Sequence, residues 1–351
     1  MRQYCISARI VVALALAIML PATVSLSRTW LVPSAIPTIP EAADSAAYGD
    51  TILVAPGTYV CPDNADYSHE WVVLPSGVSL IGQCGADSTV IVDQTTTGGY
   101  CLIKLEGVTD CLVKGFTFVR EASAAGQFYA IAIYNASHCF VDSCRFDHFF
   151  FAINVWGQMS TRDDPHIRYC YFTRCGAGIS CSAVEPYDSP IIRFNTFINN
   201  DWGIRCFDAA PYIVDNYIGD SYWAGVYCYG RSPATLDRNT IVNNGYYGVW
   251  VDTEVFYEPY MTTSWLPQNG NSIYSNGVYD LYNTVEDQRG VVEARYTYWG
   301  SDCPDFDNII GGPGRVNYIP WCDSAHTEGY DECPPQATSP ATWSSIKAHF
   351  D

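Results

Sequence analysis

Arg205 stands in the stretch "WGIRCFD" of a 351-residue chain, and Asp208 follows three residues later. A guanidinium near carboxylates can dock an anion or serve an acid and base pair. Acids recur in the segments that follow stretches of this type: Asp163 and Asp164 in "STRDDPH", Glu185 and Asp188 in "SAVEPYDSP", and Asp252, Glu254 and Glu258 in "DTEVFYEPYMTTSWLPQNG". Carboxyl groups projecting from neighbouring positions can break a glycosidic bond if one of them keeps its proton near neutral pH. The same oxygens can instead gather Ca2+, an optional cofactor for this set. Arg205, Asp208, Asp252, Glu254, Asp163 and Asp164 are therefore the catalytic candidates, and each acid taken alone also reads as a solvated loop residue. The histidines (His69, His138, His148, His166, His326 and His349) are scattered and form no Ser, His and Asp arrangement.

A second group of residues could bind sugars. Six short stretches align, "AIAIY", "AINVW", "GISCS", "GIRCF", "GVYCY" and "GVWVD", with Ile131, Ile153, Ile179, Ile204, Val226 and Val249 in one column. Side chains alternate along a strand, so the next column points outward: Ala132, Asn154, Ser180, Arg205, Tyr227 and Trp250. Just beyond come Tyr134, Trp156, Ser182, Phe207, Tyr229 and Asp252. Aromatic rings offer flat area with a polar handle, which suits the apolar faces of sugars. Tyr134, Trp156, Arg205, Phe207, Tyr227, Tyr229 and Trp250 are thus expected to bind substrate. Rings that merely stack from strand to strand are the alternative.

The elements that position these residues repeat. Under "IRFNTF" fall "VKGFTF", "DSCRF", "IRYCYF", "IVDNYI" and "LDRNTI", which places Phe116, Cys144, Cys170, Asn195, Asn216, Asn239 and Asn271 in one column. The units are short alternating runs joined by Gly, Asn, Asp and Pro, without helical periodicity, so strands repeat. A period of roughly 20–30 residues stacks into a solenoid, because one unit cannot bury its own apolar face.

These rungs resemble the parallel β-helix repeats of the pectin lyase-like superfamily. "IPEAADSAAYGDTILVAPGTYV" is similar to that group's capping helix and first strand, and "ARYTYWGS" to the last rung of many members. The resemblance implies an all-β fold, a right-handed parallel β-helix with three strands per coil and a short N-terminal capping helix. It also implies that the aromatic strand face is a substrate cleft. Activity is less defined, since the superfamily includes lyases, hydrolases, esterases, adhesins and proteins without a known reaction. Of the polygalacturonase-like motifs only "DD" appears, at Asp163 and Asp164. Pectate lyase-like enzymes use an arginine or lysine base beside calcium ligands; Arg205 lies on the matching face, without an acid in its own column. Asn195, Asn216 and Asn239 read as scaffold, because amides one rung apart can bond in a ladder.

Composition narrows the partners. The formal net charge of -19 argues against nucleic acid and against unaided binding of acidic polysaccharides. Residues 1–27 read as a secretory signal, with Arg2 and Arg9 flanking "IVVALALAIML", a run too short to span a bilayer comfortably. Residues 28–50 are expected to cap the solenoid, 51–322 to form it, and 323–351 to be a linker and short helical tail. The protein is expected outside the cytoplasm, in the extracellular space, at the cell surface or in the periplasm, as a monomer without a membrane span. Of the 15 cysteines, Cys181, Cys206 and Cys228 share one inward column, Cys144 and Cys170 another, and Cys111 and Cys139 a third, and these read as buried thiols. Disulfides are expected for Cys61 with Cys84 and for two of Cys303, Cys322 and Cys333. One more outward column, Lys114, Asp142, Arg168 and Arg193, reads as a solvated charge ladder, with an anion patch as the alternative. The expected function is non-catalytic binding of a polysaccharide or cell-surface glycan along the aromatic face; the alternative is a polysaccharide-cleaving lyase or glycoside hydrolase.

Overall fold

The computed structural model describes residues 27–62, 70–96, 100–121, 126–157, 165–183, 190–230, 232–252, 270–285 and 291–333. Its strands form a right-handed parallel β-helix of three parallel sheets, with nine, ten and nine strands among the described residues. One coil contributes a strand to each sheet in turn: Ile191–Arg193 to sheet A, Thr196–Ile198 to sheet B and Trp202–Phe207 to sheet C. Register carries the sequence columns into space, with Ile179, Ile204 and Val226 paired vertically in sheet C.

The core is built by repetition. Phe118, Phe146, Phe172 and Phe197 stack with centroids 5.1, 4.9 and 4.6 Å apart and planes within 6°, and Ile218, Ile241 and Ile273 continue the column. At the A to B corner runs the expected asparagine ladder. Asn195 Nδ2 donates to Asn216 Oδ1 (3.1 Å), Asn216 Nδ2 to Asn239 Oδ1 (3.0 Å) and Asn239 Nδ2 to Asn271 Oδ1 (3.0 Å). Each Oδ1 also accepts the backbone N–H of the asparagine before it.

A second ladder, at the B to C corner, escaped the column analysis. Asn244 Nδ2 donates to Asn276 Oδ1 at 2.9 Å, and Asn276 donates through N and Nδ2 to Asp280 Oδ1 at 3.0 and 2.8 Å. The ladder thus ends on a carboxyl that is 3 % exposed, and burial raises that group to about 6. Because the native state holds this proton up to a higher pH than the unfolded chain, stability falls as pH rises from about 4 through 6. Asp280→Asn keeps the accepting oxygen and removes the charge. Its stability advantage is expected to be absent near pH 4 and to reach about 2–3 kcal/mol at pH 7. Denaturant unfolding at both pH values reads this out; an advantage already full at pH 4 would contradict the assignment.

Cys181, Cys206 and Cys228 form a vertical stack of free buried thiols, and Cys111, Cys139, Cys144 and Cys170 are likewise free and buried. Cys303 and Cys333 form a disulfide. The expected Cys61–Cys84 bridge does not form. Cys61 ends the sheet B strand Gly57–Cys61 and is buried in the core, whereas Cys84 lies exposed after the sheet A strand Ser79–Gly82. Among the described cysteines, a thiol reagent is expected to modify only Cys84 in the folded protein. Mass-spectrometric detection of label on Cys206 under native conditions would contradict that.

The helix Ile39–Ser45 covers the N-terminal end. Thr38 Oγ1 caps it by accepting from Glu41 N, proline stands in its first turn, and Ile39, Ala42 and Ala43 are buried. The opposite end carries an aromatic cluster in which Phe306 stacks on Tyr318 (3.9 Å) and meets Trp321 edge-on (5.2 Å).

Candidate functional site

The outward face of sheet C carries the cleft. Strict alternation from Ile204 would turn residue 203 outward and Trp202 inward, and the structure does the reverse. Residues 130, 152, 178, 203, 225 and 248 are Ala or Gly and are buried, as the chain turns the corner from sheet B. A Cβ at Gly203 would lie 2.5 Å from Gly225 O, and one at Gly178 would lie 2.5 Å from the Phe197 ring. This small-residue column shifts the phase, leaving Phe151 and Trp202 only partly buried and within reach of Arg205. They were missed among the site candidates, and the Gly/Ala column before each apolar pair is the signal that could have found them.

Arg205 lies between those two rings, its Cζ 5.0 Å from the Trp202 centroid and 5.2 Å from that of Phe151. It makes no hydrogen bond or ion pair with any described residue. Burial pulls its guanidinium below the usual arginine range. The cleft, of about 250 Å³, is lined by Phe151, Ser180, Ser182, Arg205, Tyr227 and Tyr229, with Gln127, Phe150, Cys206 and Phe207 completing it. Among the described residues, Arg205 is the one charged side chain in that lining.

Tyr227, directly above Arg205 in register, donates its hydroxyl to Asp252 Oδ2 at 2.7 Å. Thr284 Oγ1 donates to Asp252 Oδ1 at 3.2 Å. Burial first, and then the bond to the Asp252 carboxylate, raise Tyr227 above the ordinary phenol range, so the phenol keeps its proton. Asp252 therefore serves Tyr227 and is not an ion-pair partner of Arg205. Asp208 turns away in a left-handed conformation (φ 48°) and is not part of the lining.

The predicted aromatics divide. Phe207 (44 % exposed) stacks on Tyr229 at 5.0 Å beside Arg205, and Tyr227 packs on Trp250 at 4.6 Å. Trp156 is open to solvent and meets Tyr134 edge-on at 5.8 Å, two rungs toward the N-terminus. Past Trp250 the rings continue as rung-to-rung stacks, Tyr247 on Tyr282 at 4.6 Å and 5°. Asp163, Asp164 and Glu254, with Glu185, Asp188 and Glu258, lie outside the described residues. Among the described residues no three His, Cys, Asp or Glu side chains converge to hold a metal ion, and no helix is long and apolar enough to cross a membrane.

Three parallel sheets wound around a phenylalanine and isoleucine core, with an arginine cleft on one outer face, define a parallel β-helix protein. The family described as right handed beta helix region matches residues 101–263 and 186–292, more than half of the chain, and the protein belongs to that family. Among solved structures it is similar to a rhamnogalacturonan lyase at 12% identity and a TM-score of 0.55, over 74% of this chain and 75% of that one. It is also similar to the Azotobacter vinelandii mannuronan C-5 epimerase AlgE4 A-module at 15% identity and a TM-score of 0.39, over 79% of this chain and 91% of that one. These likenesses concern the fold. No curated protein sequence matches the chain.

Proposed function

We propose that the protein acts on an acidic polysaccharide held across sheet C and cleaves it by β-elimination in the Arg205 cleft. The observation that carries this reading is Arg205 itself, a half-buried guanidinium with ring neighbours and no carboxylate partner among the described residues, on a chain of net charge -19. A desolvated cation of this kind is satisfied by an anion from outside, and a planar guanidinium matches a carboxylate in two bonds. A uronic acid supplies that carboxylate next to its C5–H, and pairing it with Arg205 stabilises the negative charge that develops when C5 loses its proton. Beside it, Tyr227 and Asp252 share one proton and one negative charge. The pair takes the C5 proton through the phenol, passing the phenol's own proton to Asp252, and then returns a proton to the leaving O4. The C4–O4 bond breaks, C4=C5 forms, and the pair regains its starting charge. Phe207 and Tyr229 supply the ring surface for the sugar. The solved β-helix relative with the greater structural likeness is a rhamnogalacturonan lyase, which supports cleavage over binding alone.

Binding without cleavage is the second reading, favoured by the rings that extend beyond the cleft to Trp156 and Tyr134. A panel of polyuronates and neutral glycans, scored both for binding and for unsaturated product by ultraviolet absorbance, separates the two. Unsaturated ends from a polyuronate support the lyase; retention without product supports binding; indifference to every acidic polymer sinks both. Export from the cytoplasm belongs to the same proposal, since such polymers lie outside the cell.

A further inference from the structure

Arg193 is a second arginine without a hydrogen-bond or ion-pair partner among the described residues, and it lies in the same coil as Arg205 but on sheet A. Its column reads Lys114, Asp142, Arg168, Arg193 in register. Asp142, 3 % exposed, accepts from Arg168 Nε at 2.7 Å and pairs with Lys114 Nζ at 3.5 Å. One carboxylate therefore serves two cations and none is left for the third. The ladder expected from sequence is only partly solvated, because its acid is buried. Arg193 Nε is shielded from solvent without an acceptor, and no described residue forms a hydrogen bond or ion pair with its guanidinium. Placing Arg193 directly beside Arg168 sets like charges opposite each other, which destabilises the pairing. An unfilled buried donor adds a further cost.

The residue just past each of these two strands is also costly for folding. Tyr169 and Phe194 both adopt φ 56°, at a corner position where neighbouring coils carry Gly115, Ser143, Asp215 and Arg238 in the same left-handed region. Glycine, asparagine and aspartate occupy that region cheaply, and bulky aromatics do not. Yet these two rings are 56 % and 42 % exposed and stacked at 5.3 Å and 8°. Arg193 stands 5.8 Å from the Phe194 centroid. Two open rings and a cation without a described partner meet at one corner, at a cost in backbone strain.

We propose that Arg193, Phe194 and Tyr169 form a second glycan-binding site, which takes a carboxylate-bearing sugar segment at the A to B corner, away from the sheet C cleft. That the ligand is the polymer cut in the cleft rests on the proposed function; the demand for an anion with a flat apolar face does not. Two weak sites on one long chain retain it far better than either alone, so this site holds polymer and is silent for short fragments.

The test uses the full chain and its Arg193→Gln, Phe194→Asn and Tyr169→Asn triple variant, assayed with a long polyuronate and with its tetramer. Asparagine suits the left-handed corner, so the melting temperature is expected to hold or rise. Affinity electrophoresis should show retention by the long polymer weakened about tenfold or more, with turnover of the tetramer unchanged. A variant retained as strongly as the wild type overturns this site and leaves the cleft untouched. A wild type that sediments as a dimer, with the variant monomeric, also overturns it by assigning the corner to self-association. A wild type that ignores polyuronates altogether overturns both sites, whereas Arg205→Gln losing turnover but keeping retention confirms that they are separate.

Discussion

Alanine at position 205 is expected to reduce the formation of unsaturated product by about 10²- to 10³-fold, the effect of removing one preorganised charge-stabilising group from an active site. The protein should still fold, because Arg205 lines the cleft and pairs with no carboxylate among the described residues. The loss should fall mainly on kcat if the guanidinium acts on the charge developing at the sugar carboxylate, and on KM if it only anchors the ground state. Arg205→Lys refines the reading. Lysine keeps the charge and loses the planar fork and the ring contacts with Phe151 and Trp202, so it should recover only part of the rate. Initial rates on a polyuronate, with circular dichroism and a melting curve for each variant, decide the matter. Wild-type turnover in Arg205→Ala would remove the cleft from the chemistry and leave sheet C as a binding face at most.

The second large effect concerns the scaffold. Replacing Asn216 by alanine is expected to destabilise the protein by about 3–5 kcal/mol, a size reserved for broken buried networks. Asn216 Oδ1 accepts from Asn195 N (2.9 Å) and Asn195 Nδ2 (3.1 Å), and its Nδ2 donates to Ile192 O, Val214 O and Asn239 Oδ1. Alanine would leave these donors and acceptors buried without partners, in an interior that water does not reach. Because each coil contacts only its neighbours, the damage should be local. Hydrogen exchange is therefore expected to accelerate in the coils of Asn195, Asn216 and Asn239 before the rest of the solenoid. Urea unfolding that shifts by less than about 1 kcal/mol would show that relaxation or water replaces the amide.

The contrast between these two residues shows what could be read from the chain. Asn216 was recognisable as scaffold because its partners stand at the same position of neighbouring repeats, so period and alternation place them without coordinates. The cleft was legible only in part. Arg205, Phe207, Tyr227 and Tyr229 stand where alternation puts them, on the outward face of sheet C. Asp252 was found as a candidate acid, but its bond from Tyr227 is visible only in the fold. Phe151 and Trp202 stayed hidden behind the small residues at 152 and 203, whose burial at the corner shifts the alternation by one residue. Asn276 stands one rung beyond Asn244 in a column that also holds Asn200 and Ser221, five residues after the first ladder and not aligned from the sequence, and only Asp280, four residues further along the same coil, lies off it.

The sequence alone determined that strands repeat, which residues face inward, and that asparagines and thiols stack within the solenoid, because every one of these depends on spacing between equivalent positions. Only the tertiary structure decided which charges are paired. Asp142 is consumed by Arg168 and Lys114, Asp252 accepts from Tyr227, and among the described residues Arg193 and Arg205 are left over on two faces of one coil. Pairing depends on separations of a few ångströms between side chains on different rungs and at corners. A repeat period specifies that two residues are neighbours, but the turn geometry between the sheets sets whether their charged ends meet.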